Sequence, residues 1–322
     1  MTTLPRPLLS LTALAFIATA LTWGSSFLLI KVALDSFSPG QVALGRLVVG
    51  ALTLVLLMVL TRRRWPSEPR VWAHLAVVAV FLCVAPFILF AWAGQFLPSG
   101  LSSILNATTP IWTAIFVSIG VRTERFTAVQ VGGIVLGIVG VGVVTGLWRF
   151  IADPAFAASL PAQAACLAAT ACYGIGFLWL RKYVVGKQNH DSVVVAAVQI
   201  VLAAVMSIVI APIFAMGAMQ IEVVPVLALV ALGVFGTGFA YVWNTRVVLD
   251  WGPVASSTVT YLTPVVGIVL GALILGEHIT WNEPVGAVLI IVSVIVVQQH
   301  LKISKRLRGR RSTQTPEGTL VP

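Results

Sequence analysis

Pro110 and Pro264 each stand four residues after a polar side chain, Asn106 and Thr260, inside an apolar run long enough to cross a bilayer. A proline within a helix removes one backbone hydrogen bond and frees the carbonyl four residues earlier. Two stretches of the chain are therefore expected to offer an unpaired carbonyl and a polar side chain near mid-membrane. Irregular backbone at that depth is tolerated only when it is buried in protein or lines an aqueous cavity. The chemistry on offer is recognition of a small polar molecule, with a packing kink satisfied by a neighbouring Ser or Thr as the structural alternative. Trp23 and Tyr173 fall at similar depth, where a Trp with its N–H donor calls for a partner. Phe87, Phe90, Phe177, Tyr241 and Trp243 add aromatic surface, for which plain lipid or core packing is the other reading. Lys31 and Arg46, near the outer side of the first and second spans, are the basic residues expected inside the membrane, Arg181 falling at the cytoplasmic end of its span. They either snorkel or pair with Asp35, or else attract an anionic group such as a substrate carboxylate.

Covalent chemistry finds little support. An intramembrane enzyme needs a nucleophile with a base, or a metal constellation, at depth. All ten acidic residues fall in loops, at helix ends or in the tail, and His74, His190, His278 and His300 sit at membrane edges. We therefore expect no catalytic residues and no cofactor. Cys83, Cys166 and Cys172 lie inside apolar runs and read as small packing residues, neither disulfide partners nor metal ligands. Proton-coupled carriers need a carboxylate or His in the path. Its absence points to passage that is not tightly proton-coupled, with a proton-coupled drug or metabolite exporter as the alternative.

The elements that must position these residues are visible as a repeat. LPSGLSSILNATTPIW, from position 97, is echoed by WGPVASSTVTYLTPVV, from position 251. A slide of 154 positions lays Ser102 on Ser256, Ser103 on Ser257, Thr109 on Thr263, Pro110 on Pro264 and Gly132 on Gly286. Trp23-Gly24-Ser25-Ser26-Phe27 likewise resembles Tyr173-Gly174-Ile175-Gly176-Phe177. An apolar fraction of 59% with only 9% charged residues is far from a soluble domain, where about a quarter is charged. Segments near the 20 apolar residues a span requires are expected at 11–33, 40–60, 71–93, 99–119, 127–147, 161–181, 192–213, 223–245, 253–275 and 284–300. The first is too long for a signal peptide and reads as a retained helix. The fold class is thus an all-α integral membrane protein with ten transmembrane helices. Residues 1–150 form one five-helix repeat, 151–301 a second, and 302–322 a basic, disordered cytoplasmic tail held near anionic headgroups. Five helices per half is odd, so the halves enter from opposite sides as inverted repeats.

Charge fixes the orientation. With the N-terminus inside, seventeen of the twenty basic residues are cytoplasmic, the exceptions being Lys31, Arg46 and Arg149, while Asp35, Asp153, Glu222, Glu277 and Glu283 lie outside. The net charge of +10 is thereby explained by membrane topology, with no nucleic acid as partner. Both termini are cytoplasmic in a multi-pass protein of the cell (plasma or inner) membrane. The expected partners are lipid and a small-molecule substrate. The pairs Gly133/Gly137, Gly142/Gly146 and Gly267/Gly271 mark close helix packing within one chain, with a homodimer through the fifth or tenth helix as the alternative.

The chain resembles the EamA-type permeases of the drug/metabolite transporter superfamily. The resemblance rests on WGSSF with Lys31, Ser38-Pro39 followed by Arg46, the Pro110 and Pro264 helices, and Gly276-Glu277 leading to Gly286. In the first half Thr123-Glu124 departs from the family's Gly-Glu turn. The resemblance implies a ten-helix basket around a central cavity. It further implies alternating access and export of small metabolites, amino acids or related amphipathic compounds. The residues expected to bind substrate are Trp23, Arg46, Phe87, Asn106, Tyr173, Phe177, Tyr241 and Thr260, with Pro110 and Pro264 as gating helix breaks.

Overall fold

The computed structural model describes residues 10–120, 128–146, 148, 154–185, 190–293 and 295–296. The turn at Thr123-Glu124, Arg149, Lys187 and the 302–322 tail lie outside the described residues. In chain order the described helices are α1 (Leu11–Ala33), α2 (Pro39–Leu60), α3 (Pro69–Ala93), α4 (Ser99–Gly120), α5 (Ala128–Thr145), α6 (Pro154–Tyr183), α7 (Ser192–Phe214), α8 (Val223–Trp251), α9 (Pro253–Leu275) and α10 (Asn282–Ser293). Eight are long and apolar enough to cross a membrane; the described apolar stretches of α5 and α10 are shorter.

Local chemistry sets the ends. Ser10 caps α1 through Ala13 N, and Ser38 and Gln41 form a reciprocal capping box at the start of α2, with Pro39 as its first residue. Asp191 accepts from Val193 and Val194 at the start of α7. Only Gly252, at φ +90°, stands between α8 and α9, and α9 stops at Gly276 in the left-handed region at φ +65°. A side chain at either position would be strained. Large apolar side chains face outward along the helices, with Leu56 58%, Val209 73% and Leu273 79% exposed. Lipid satisfies such a surface; water does not.

Packing is reciprocal between the halves. Helix α1 packs on α8 and α9, and α6 packs on α3 and α4. Equivalent helices meet with their ends opposed. Gly40, early in α2, lies against Phe214 at the end of α7, while Arg63, just past α2, pairs with Asp191 before α7. In α4 and α9, Ser99 meets Glu277 while Asn106 meets Thr263. In α5 and α10, Ser293 donates to Gly133 O, and Asn282 to Val144 O. The expected small-residue packing is realised within the chain at Gly137, which abuts Ile111 and Ser293, and at the Gly267/Gly271 pair. Gly142 has open space where a Cβ would stand; Gly140 and Gly286 pack closely instead. Gly140 abuts Ile290, Gly286 abuts Val144 and Gly140, and Gly267 and Gly271 admit Ser103 and Ser99. Two buried clusters result, one holding Phe87, Phe177 and Tyr241, the other Phe27 and Phe90.

Both proline-containing helices break at the same repeat position. In α4 the helix stops at Asn106 and restarts at Thr109; in α9 a tight turn over Thr258–Tyr261 precedes the restart at Thr263. The freed carbonyls are not unpaired as expected. Thr109 Oγ1 donates to Asn106 O at 2.7 Å, and Thr263 Oγ1 to Thr260 O at 2.8 Å. The hydroxyl three residues on takes the bond that proline gives up. Each kink is therefore built into the sequence as a Thr-Pro pair.

A second pair of irregularities was not anticipated. Helix α3 widens into a π segment at Val80–Val84 and α8 into another at Val234–Phe239, 154 positions later. In α3 the cause is legible. Pro86 cannot donate to Leu82 O, and its ring crowds that carbonyl.

Candidate functional site

The seam between the two buried clusters opens into a cavity lined by residues of α1, α2, α3, α4, α6, α8 and α9. Trp23, Arg46, Phe87, Asn106, Tyr173, Phe177, Tyr241 and Thr260 all lie on its wall. Pro110 and Pro264 do not; they stand behind it, in the kinks that turn Asn106 and Thr260 inward.

The wall is aromatic on most sides. Trp23 meets Tyr241 edge-on at 5.8 Å between centroids, Phe27 meets Phe90 at 5.4 Å, and Phe90 stacks on Tyr173 at 6.1 Å. Two of these rings are anchored by the π segments. Trp23 Nε1 donates to Gly236 O at 3.2 Å, and Tyr241 OH to Leu82 O at 2.5 Å. Leu82 and Gly236 occupy the same repeat position, so each bulge exposes one carbonyl and one ring takes it. The partner that a mid-membrane Trp requires is thus supplied by irregular backbone.

Polar groups punctuate this surface. Asn106 is buried, and its amide makes only long contacts, 3.5 Å to Thr263 Oγ1 and 3.5 Å to Thr109 Oγ1. Its hydrogen-bonding capacity is largely unspent. Thr260 donates to Ser257 O at 2.8 Å, which leaves its oxygen free to accept. Asn244 accepts from Ser256 at 2.5 Å. Arg46, 4% exposed, donates from Nε to Thr237 Oγ1 at 3.2 Å and lays its guanidinium 3.6 Å from the Phe87 ring centre. A buried membrane arginine costs about 3 kcal/mol on insertion scales; the ring face returns roughly 1–2 kcal/mol when desolvated.

Lys31, the other basic residue expected at depth, is elsewhere. Its Nζ donates to Gly94 O at 3.0 Å and Leu97 O at 3.1 Å, capping the C-terminal end of α3. Neither pairing with Asp35 nor a place on the cavity wall is seen for Lys31 among the described residues. Trp243 also stands off the wall, stacked on Phe239.

The sequence reading missed Ser26, Phe27, Ile30, Leu82, Thr109 and Asn244 as wall residues, and gave Phe90 only as aromatic surface. Phe27 and Ile30 were findable, being four and seven residues beyond Trp23 on one helix face. Leu82 was findable through Pro86 by the rule applied to Pro110. About 50 Å³ of the cavity is open to the centres of water molecules, against the ~10–15 Å³ one water needs. That is room for a few waters in this state. A smaller cavity shares Leu82 and Asn244 and runs along Leu180, Val184, Val195 and Leu249 toward the end of α6. All three cysteines are free; Cys83 and Cys166 are buried and Cys172 half-buried, and Cys83 accepts from Gln199 at 3.2 Å. Among the described residues no cluster of potential metal ligands occurs.

Known proteins share this architecture. A solved crystal structure, 18% identical, superposes with a TM-score of 0.65 over 90% of this chain and 98% of its own. The chain is 24% identical over 278 residues to the uncharacterized transporter YoaV of Bacillus subtilis, covering 86% of this chain and 93% of that protein. A probable terminal-alkyne amino-acid exporter of Streptantibioticus cattleyicolor is 28% identical over 130 residues, 40% of this chain and 43% of its own. The inner membrane transporter YedA of Escherichia coli K12, also uncharacterized, is 29% identical over 129 residues, 39% and 41% of the two chains. The model of the EamA-like transporter family matches twice, at 10–146 and 160–298, and so spans both halves of the repeat. This chain belongs to the EamA-like transporter family: it is a membrane transporter and not an enzyme.

Proposed function

We propose that the protein carries small metabolites, amino acids or related amphipathic compounds, out of the cell by alternating access at the central cavity. The observation that carries this reading is the cavity's composition. Eight side chains singled out from two halves of the sequence converge on one space, and helix breaks from both halves border it. Ten spans as two inverted five-helix repeats fit the opposed ends of α2 and α7, α4 and α9, and α5 and α10. The reciprocal packing of α1 and α6 then corresponds to a pseudo-twofold axis through the cavity. Such an axis gives a carrier two alternative closures of similar construction.

Loading from the cytoplasm is favoured by two further features. The smaller cavity leads toward the ends of α6 and α8, where charge asymmetry assigns the inner face. The opposite end is tied shut by Lys31 on α3 and by Glu277 on the start of α4. We read the protein as a monomer of the cell membrane with both termini inside.

The test is efflux of an isotope-labelled metabolite extract trapped in proteoliposomes, read by mass spectrometry. Trp23→Ala and Asn106→Ala should each lower the rate of the exported species by about tenfold, the weight of one or two lost contacts, at unchanged membrane abundance. Efflux at the wild-type rate by both variants would move the transport site elsewhere.

A further inference from the structure

The repeat supplies its own control for Arg46. Counted from their N-caps, Ser38 and Asp191, Arg46 on α2 and Gln199 on α7 are both the eighth residue. Counted along the π segments, Thr237 on α8 and Cys83 on α3 are both the fourth. The two contacts match. Arg46 Nε donates to Thr237 Oγ1 at 3.2 Å, and Gln199 Nε2 donates to Cys83 Sγ at 3.2 Å. Each ties a helix of one half to the bulge of the other. A neutral amide makes this tie at Gln199, so the tie requires a donor and not a charge.

The charge at Arg46 is therefore not needed for the tie, and it faces the cavity. Among the described residues no carboxylate pairs with Arg46, and no hydrogen bond besides that of Nε engages its guanidinium. Phe87 covers one face of the cation and leaves the planar N–H edge for a ligand. That edge matches a carboxylate, which takes two parallel bonds from a guanidinium. Among the described residues the cavity lining carries this one cation and no acidic side chain. An ammonium group placed there finds ring faces and neutral oxygens but no carboxylate, and it is repelled by the Arg46 charge.

We propose that Arg46 is the anion-recognition group of the cavity, and that the substrates are amphipathic organic anions with one carboxylate. The carboxylate sits on the guanidinium edge, and the apolar body rests among Trp23, Phe27, Phe90, Tyr173 and Phe177. The assignment rests on the cavity being the transport site. It narrows the proposed cargo from amino acids at large to net anions, and ranks these above the corresponding zwitterions, amides and amines.

The experiment is equilibrium binding to the full-length protein in nanodiscs, by scintillation proximity with radiolabelled hydrocinnamate. Hydrocinnamamide, phenylalanine and phenethylamine serve as competitors that keep the phenyl body and change the charge. Hydrocinnamate should bind at least about tenfold more tightly than any of the three, the weight of a charge-assisted bidentate pair. Arg46→Gln, which copies Gln199, should abolish the ranking without lowering the melting temperature, and Arg46→Lys should retain part of it. Absence of binding by hydrocinnamate, equal affinity for acid and amide, or a ranking that survives Arg46→Gln would overturn the proposal. The wild-type ranking decides the matter even if a variant misfolds. Failure of the transport-site reading shows separately, as unimpaired efflux by Trp23→Ala and Asn106→Ala whatever the charge ranking.

Discussion

Glu277 lies past the end of α9, yet its carboxylate accepts from Ser99 N at 2.6 Å, Ser99 Oγ at 2.9 Å and Gly100 N at 3.1 Å. The two backbone N–H groups are orphan donors at the N-terminal end of α4, where negative charge is favoured by the helix dipole. Glu277→Ala should therefore lower stability by about 1–3 kcal/mol, the cost of leaving such donors unmet. Glu277→Gln, which keeps an acceptor, should lose less. Thermal unfolding of the purified variants checks both. The sequence presented Glu277 only as an outer acid in a Gly-Glu turn, because nothing local indicates that a loop residue reaches a helix start 178 positions away. Arg46 and Asn106 were legible for the opposite reason. Polar side chains at membrane depth need company, and that requirement is visible without coordinates.

At the level of elements, the kinks and the bulges differ in how plainly they are written. Pro110 and Pro264 announced their breaks, though the Thr hydroxyls that satisfy Asn106 O and Thr260 O turned expected free carbonyls into capped ones. The π segment of α3 was written in Pro86 and went unread. That of α8 contains Gly236 and Gly238 but no proline, and no rule of spacing identifies it. Its partners do. Trp23 and Arg46 both reach it from the other half of the chain. Pro110→Ala restores a donor to Asn106 O and allows α4 to straighten. We expect slower turnover at unchanged abundance, measured as efflux rate per molecule, since a straighter helix hinders the motion between closures. An unaltered rate would mean that neighbouring helices hold the kink.

Across the whole molecule, composition and the repeat made the membrane class and the two-part organisation plain, while the cavity's dimensions were out of reach. A space of about 50 Å³ depends on how side chains from seven helices interdigitate. Energy coupling belongs to this scale. Among the described residues no Asp, Glu or His lines the cavity, and an arginine does not deprotonate in a protein. With substrate equal on both sides of a proteoliposome, an imposed pH gradient should drive no net accumulation. Accumulation that collapses with a protonophore would establish a proton-carrying group outside the cavity.

Alternating access is most directly tested at Thr260, which lies on the cavity wall beside the α9 break and is 3% exposed in this state. In a background with the native cysteines replaced, Cys83 by Ser to keep an acceptor for Gln199, a Thr260→Cys protein is treated with a membrane-impermeant thiol reagent. The reagent is applied first from one side and then, in a separate preparation, from the other, while efflux is followed. A Ser67→Cys protein, at an exposed position in the loop after α2, serves as the sidedness control and should react only from the cytoplasm. The account predicts that Thr260→Cys is modified from both sides, that either modification stops transport, and that substrate slows both. Modification from one side alone, or transport that continues after complete modification, would contradict it.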